Sequence, residues 1–214
     1  MIKAILFDRD GVLIDSEDIH YQSVIYGLKQ FNIICDKSEI IFINGLNPID
    51  YKKQFIKKFN VDWEKYRDIQ RKKYYEIVNS EQIIIKESVK LARKLKEKKF
   101  KIAMVTAAGI DSTKVVLKLL KMKDFFDFVV TKDDCEKRKP NPEAYLLASK
   151  ELESDPKNCL VIEDSQVGLE AAKRAGMKCV IVRTNNTIKE DYSKADLILN
   201  QEDINFKNIE YLLK

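Results

Sequence analysis

Apolar residues follow two patterns along this chain. Short continuous runs occur at Ile2–Phe7, Lys101–Thr106 (KIAMVT), Phe128–Thr131 (FVVT), Cys159–Glu163 (CLVIE), Lys178–Val182 and Leu197–Leu199. Runs of this length without alternation read as strands covered on both faces. Helical spacing fills the intervals. Ser16 is placed to cap a helix running to about Lys29, with Ile19, Val24, Ile25 and Leu28 on its apolar positions. Glu87–Lys99 turns Val89, Leu91, Ala92 and Leu95 inward, and Asp111–Leu120 gives the next helix. Pro142 suits a first helical turn. Leu169–Ala175 forms another helix, ended by Gly176 at a C′ position. The tail from Asp203 to Lys214 reads as a short surface helix. Strand–helix alternation of this kind predicts an α/β fold with a doubly wound parallel sheet.

One block breaks the alternation. Residues 16–81 are highly charged and carry helical patterns at Ser38–Asn44, Pro48–Phe59 and Trp63–Ser80, with Gly45 and Pro48 separating the first two. The expected organisation is therefore a core built from residues 1–15 and 82–214, with a small helical domain, 16–81, inserted after the first strand.

Composition narrows the class. The chain has 214 residues, 45% hydrophobic and 34% charged, as in a folded soluble protein. No apolar run approaches the roughly 18–20 residues that span a bilayer, and the N-terminus enters a strand without a leader pattern. A cytoplasmic protein with no membrane association is expected. The net charge of +5 includes Lys-rich runs such as Arg93–Lys101. These read as the solvated face and end of a helix, not as a nucleic-acid surface, since no binding motif accompanies them. A mild positive field also suits an anionic substrate. Cys35, Cys135, Cys159 and Cys179 form no C-x-x-C pair, and His20 is the single histidine, which argues against zinc.

The candidate chemistry begins at Asp8-Arg9-Asp10-Gly11, directly after the first apolar run. Read as a strand continuation, Asp8 and Asp10 point to the same side and converge at the strand's carboxyl end, where open α/β sheets bind ligands. Two such anions call for a cation between them or for a proton, and an oxygen-preferring ion such as Mg²⁺ fits. Taken alone, Asp-x-Asp-Gly has a lesser reading as only a turn at the strand's exit. Thr106-Ala107-Ala108-Gly109 closes the second core strand with a hydroxyl and small residues, a pattern able to cradle phosphate or simply to cap a helix.

Asp8-Arg9-Asp10-Gly11-Val12-Leu13-Ile14-Asp15-Ser16 resembles the first motif of the haloacid dehalogenase superfamily, in its β-phosphoglucomutase-like and phosphoglycolate-phosphatase-like branch. The resemblance covers almost the whole chain. It implies a Rossmann-like core whose helical insertion is a cap closing over the site. Thr106, with the N–H of Ala107, takes the place of the phosphate-binding residue. Lys139, before Pro140-Asn141-Pro142, takes the third motif, and Glu163 and Asp164 the fourth. The resemblance assigns Asp8 as nucleophile and Asp10 as acid–base. It assigns Mg²⁺ to Asp8, the carbonyl of Asp10, Asp164 and Glu163, the last directly or through water.

The branch often carries a His at the spacing of His20, which implies a residue that touches substrate or supports those that do, and not the main acid–base. Asn44, Gly45 and Asn47 correspond to a substrate-facing cap loop, or to an ordinary interhelix turn. Mutases of the branch carry cations where this chain has Asn44 and Pro48. Arg71-Lys72-Lys73 aligns loosely with a further cap lysine and reads better as a solvated helix face. Asp10 disfavours carbon–halogen and carbon–phosphorus cleavage, since those branches lack an Asp there. Arg9 replaces the usual apolar residue and is expected to contact the outer wall of the site or a neighbouring loop.

The implied function is a Mg²⁺-dependent phosphatase acting through an aspartyl-phosphate on a small phosphorylated metabolite, such as a sugar phosphate, as a monomer or weak dimer. The alternatives are a sugar phosphomutase of the β-phosphoglucomutase type and a non-catalytic phospho-ligand-binding protein.

Overall fold

The computed structural model describes residues 1–43, 48–78, 81–184 and 190–214. It divides into a sheet unit, Met1–Asp15 with Glu81–Lys214, and a helical unit, Ser16–Ser80.

Strand β1 (Ala4–Phe7) starts the sheet unit. The chain then runs through the helical unit, with α1 (Glu17–Lys29), α2 (Lys37–Ile40), α3 (Pro48–Phe59) and α4 (Trp63–Val78). Ser16 stands at the N-cap of α1, but its hydroxyl makes no capping bond, so the expected cap is corrected to one of position only. At α2 the cap is complete: Asp36 accepts from Ser38 N and Glu39 N, and Glu39 bonds back to Asp36 N. Helices α1 and α4 lie along each other. A Cβ on Gly27 would stand 2.8 Å from the Tyr66 ring, so the absence of a side chain there permits the approach. The core of this unit is Tyr21, Val24, Leu28, Ile40, Phe55, Val61 and Tyr66.

Back in the sheet unit come α5 (Lys86–Glu97), β2 (Lys101–Val105), α6 (Ile110–Leu119), β3 (Phe128–Val130), α7 (Glu143–Glu151), β4 (Cys159–Glu163), α8 (Gln166–Arg174), β5 (Lys178–Arg183), β6 (Leu197–Asn200) and α9 (Phe206–Ile209). The strands form one parallel sheet in the order β3-β2-β1-β4-β5-β6. Ala4, Leu6, Ala103, Val105, Val161 and Ile181 meet Tyr145, Ala148, Leu169 and Ala172 of α7 and α8 in one cluster. The alternate positions Ile5, Phe7, Met104, Ile162 and Val180 are equally buried, so both faces are covered. This double burial is why the strands read as unbroken apolar runs. The tail departs from the expected surface helix: Ile204, Ile209, Leu212 and Leu213 are buried, and Leu213 O accepts from Ile2 N at 3.0 Å.

The sheet's order places β1 beside β4, where the direction of winding reverses. Phe7 pairs in register with Met104 on one side and Ile162 on the other. Beyond that register the chain carries Asp8, Thr106 and Glu163, the last residues before three loops. The crevice at such a reversal is where doubly wound sheets bind ligands.

Candidate active site

Asp8 and Asp10 do not lie on the strand. β1 ends at Phe7, and the last ladder-like bond is Asp8 N to Ile162 O at 2.9 Å. The chain then turns tightly. Leu13 N and Ile14 N both donate to Arg9 O, and Gly11 N donates to Ile14 O at 2.7 Å. Gly11 sits at φ +74°, and a Cβ there would fall 1.9 Å from Asp164 Oδ2. Both facts require glycine. The expectation that pleating alone aligns the two carboxylates is therefore corrected: a turn sets Asp10, and its carboxylate goes to Arg9, not to the partner of Asp8.

Lys139 is the centre of the site. Its ammonium lies 2.6 Å from Asp8 Oδ1, 2.6 Å from Glu163 Oε1 and 3.4 Å from Val105 O. One buried cation thus joins the ends of β1, β2 and β4. Burial alone would pull its pKa down, but the Asp8 and Glu163 carboxylates outweigh that and hold it well above the ordinary lysine value. The loop before α7 presents this lysine. Glu143 accepts from Glu136 N and Lys137 N at 2.8 and 3.0 Å, and the Lys139–Pro140 peptide bond is cis.

Glu163 is 1% exposed and surrounded by donors. Oε1 takes Lys139 and the Tyr145 hydroxyl, at 2.8 Å; Oε2 takes Asp164 N, Ser165 N and Ser165 Oγ at 2.9 to 3.0 Å. Burial opposes its charge, yet Lys139 and these hydrogen bonds hold its pKa below the ordinary value. Asp164, its neighbour, goes the other way. Burial, then the charges of Glu163, Asp8 and Asp10, push its pKa well up. Asp8 is raised to about 7, by burial first, with Lys139 opposing and Glu163 and Asp10 assisting. A Cβ on Gly168 would fall 1.8 Å from Glu163 Oε1, so the first turn of α8 closes directly on this carboxylate.

The fit of a divalent cation follows from these charges. Asp8, Asp10, Glu163 and Asp164 face the Lys139 ammonium and the Arg9 guanidinium. Four anions against two cations leave two negative charges, and the raised Asp8 and Asp164 show where the imbalance falls. Among the described residues, no three such side chains are already drawn tightly around one point. Asp8, Asp10 and Glu163 instead lean on protein cations. The donor chemistry fits a hard dication at Asp8 and Asp164. Glu163 is already saturated by protein donors, which favours contact with a metal through water over direct ligation.

Thr106 is buried at the end of β2, and its Oγ1 accepts from Ala108 N at 3.0 Å, while Ala107 is exposed. The loop ends at Gly109, and Asp133 caps α6 by accepting from Ile110 N at 2.8 Å. His20 lies on α1 in the helical unit, half-buried, with its ring 6.2 Å from that of Tyr21. Asn44, Gly45 and Asn47 lie outside the described residues.

Three contributors escape a reading of the sequence. Tyr145, fully buried on α7, donates to Glu163 and lies with its ring centroid 4.7 Å from Lys139 Nζ. Ser165 caps α8 through Gly168 N while also donating to Glu163. Tyr192 donates from its hydroxyl toward Asp164 O at 2.5 Å and lies 3.2 Å from Glu190. Tyr145 stands six residues after Lys139, in the first turn of α7. That spacing was the one available signal, since its apolar surroundings mark it as core.

The family model of haloacid dehalogenase-like hydrolases matches residues 5–182. The YhcW protein of Bacillus subtilis, which carries a provisional phosphatase name, is 34% identical over 199 residues, covering 90% of each chain. Among solved structures, β-phosphoglucomutase of Clostridium difficile aligns over all of both chains with a TM-score of 0.78 and 26% identity. CbbY of Rhodobacter sphaeroides, solved with phosphate, gives a TM-score of 0.80 at 22% identity, over 95% of this chain and 96% of that one. At that identity the likeness speaks for the fold alone.

Proposed function

The chain belongs to the haloacid dehalogenase-like hydrolases, and from that premise we propose that it is a phosphatase of small phosphorylated metabolites, working through a phosphoryl-aspartate at Asp8. The observation that carries this reading is Lys139 held 2.6 Å from Asp8 Oδ1 at the carboxyl end of the sheet. An ammonium so placed favours the ionised nucleophile against the burial that raises its pKa, and offsets the charge of an incoming phosphoryl group.

Asp8 forms a bond to phosphorus as the ester P–O bond breaks. Asp10 gives its proton to the departing oxygen, and the alcohol leaves. Water then attacks the phosphoryl-aspartate, returns a proton to Asp10, and releases inorganic phosphate with the Asp8 carboxylate restored. Thr106 and the Ala107 N–H would bind the non-bridging oxygens with Lys139. Mg²⁺, held by Asp8, Asp164 and the Asp10 carbonyl, would supply Lewis-acid charge neutralisation. The free thiols at Cys35, Cys135, Cys159 and Cys179 fit a reducing, cytoplasmic compartment.

The test is phosphate release from a panel of sugar and other metabolite phosphates, with Mg²⁺ and with EDTA, in wild type and Asp8→Asn. Metal-dependent release that disappears in the variant is the expected result; release indifferent to both overturns the reading. A second reading, sugar phosphomutase, is favoured by the 26% identity to β-phosphoglucomutase. Asn44 and Pro48, at positions where mutases carry cations, speak against it. Interconversion of glucose 1-phosphate and glucose 6-phosphate without net phosphate release would select it.

A further inference from the structure

Arg9 is 3% exposed, although its neighbours in sequence are the two aspartates of the site. Its guanidinium forks onto Asp10: Nε donates to Oδ2 at 2.9 Å, and Nη2 to Oδ1 at 3.0 Å. The remaining arm, Nη1, donates to Ser112 Oγ at 2.9 Å, on the first turn of α6. Ser112 Oγ in turn donates to Gly109 O at 3.1 Å. A continuous polar chain therefore runs carboxylate, guanidinium, hydroxyl, carbonyl. It starts at Asp10 and ends on the last residue of the Thr106–Gly109 loop.

We propose that Arg9 is a positioning residue that ties Asp10 to the Thr106–Gly109 loop, so that the acid–base carboxylate and the loop that holds the phosphoryl group keep a fixed separation. The bonding of Arg9 supports this. A fork onto a carboxylate fixes direction as well as distance, and the serine at the far end sits on a different segment of chain, more than a hundred residues on. A residue that only filled space would need neither arm. Proton delivery to a leaving oxygen depends on placement within about 0.5 Å, and a misplacement of about 1 Å costs up to roughly a hundredfold. Asp10 turns on a loop beyond the strand end, so the sheet alone does not fix it. Arg9 supplies that constraint.

The inference rests on the phosphatase reading, and wild type is assayed first to keep the two apart. The probes are p-nitrophenyl phosphate, whose aryl oxide leaves with little help, and an alkyl phosphate, whose leaving oxygen needs the acid's proton. The quantity read is kcat/KM, which reports formation of the phosphoryl-aspartate. Arg9→Met is expected to lower the alkyl-to-aryl ratio of kcat/KM by about tenfold or more, and Arg9→Lys to recover part of it. Ser112→Ala guards against a variant that fails to fold, because it leaves the Arg9–Asp10 pair in place; its ratio is expected to fall by about threefold. A folded Ser112→Ala or Arg9→Met protein that loses both substrates by one factor, or neither, overturns the role of Arg9. A wild type that releases phosphate from neither ester overturns the phosphatase reading, and this inference with it.

Discussion

The helical unit buries aromatic rings, whereas the sheet unit buries charge. Around Phe55 in the helical unit, Tyr66 stacks at 4.4 Å between centroids, Phe59 at 4.8 Å and Trp63 edge-on at 5.7 Å. Its buried polar pair is neutral and matched, Gln70 donating to Ser23 Oγ at 2.7 Å. Its ion pairs, such as Lys52–Glu64 and Lys72–Asp68, lie on the surface, where each is worth about 0–1 kcal/mol. The sheet unit does the reverse at the carboxyl end of its central strands, enclosing Lys139 between Asp8 and Glu163. Apolar residues of similar volume in such a place are often neutral or stabilising. Stability therefore explains the ring cluster and does not explain the charge cluster. On the proposed function the latter serves chemistry, and it is over-determined by its own neighbours: Tyr145, Ser165 and two backbone N–H groups all converge on Glu163.

The strongest way to break this contrast is Lys139→Met. It removes the cation from between two buried carboxylates and leaves them uncompensated. The expected costs are about 3–5 kcal/mol of folding stability and roughly a hundredfold or more in kcat, read by urea unfolding and by phosphate release. A Lys139→Met protein as stable as wild type would mean that the carboxylates do not depend on the ammonium. Phe55→Ala is the matching test in the helical unit. Removing a fully buried ring is expected to cost about 3–5 kcal/mol. Because no charge is involved, that loss should stay constant across pH, whereas the loss from Lys139→Met should not.

A smaller effect separates the two units by pH. In the folded protein Asp8 is raised to about 7 and Asp164 is raised well above the carboxylate range, burial being the first cause in both. Groups raised in this way hold protons that the unfolded chain has already released. Stability is therefore lost as pH rises from the unfolded carboxylate value, about 4, through the folded values. A bound dication competes with those protons. The rise in Tm on adding MgCl₂ should then be larger near pH 8 than near about pH 5.5, and Asp8→Asn should remove most of the difference. A metal-induced shift that is flat with pH would show that the ion does not bind at Asp8.

Much of the fold was legible because parallel strands buried on both faces leave continuous apolar runs. Lys101–Val105, Cys159–Glu163 and Lys178–Arg183 match those runs to within a residue. Asp8, Lys139 and Glu163, named from the motifs of the family resemblance, do meet at the sheet's end. What the sequence concealed was partnership. The Tyr145 hydroxyl finds Glu163 eighteen residues away, and Arg9 finds Ser112 across more than a hundred. Neither distance carries a periodic signal. Ser16 has the right residue type for a cap and makes no capping bond, because propensity records what a side chain can do and not what it finds nearby. The tail looked like surface for a similar reason: Ile204, Ile209, Leu212 and Leu213 are spaced among polar residues, and only the fold shows that they share one buried side.

The smallest expected effect concerns a charge in the sheet unit placed far from the site. Asp127 accepts from Ile102 N at 2.7 Å, tying the loop before β3 to β2, and from Lys96 at 2.5 Å. Burial works against its charge, but the Lys96 bond and the Ile102 N–H lower its pKa below the ordinary value. The sign is opposite to that at Asp8. Its contribution is present above the unfolded carboxylate pKa and is lost as pH falls through the lower folded value. The side chain is 40% exposed, so solvent and salt screen the pair, and Asp127→Asn should cost no more than about 1 kcal/mol near neutral pH. The difference from wild type should shrink with added salt and vanish in acid, and MgCl₂ should leave it unchanged. If Asp127→Asn instead altered the metal-dependent shift in Tm, buried charge at the strand ends would be coupled to the rest of the sheet, and the division between charge kept for chemistry and charge kept for structure would fail.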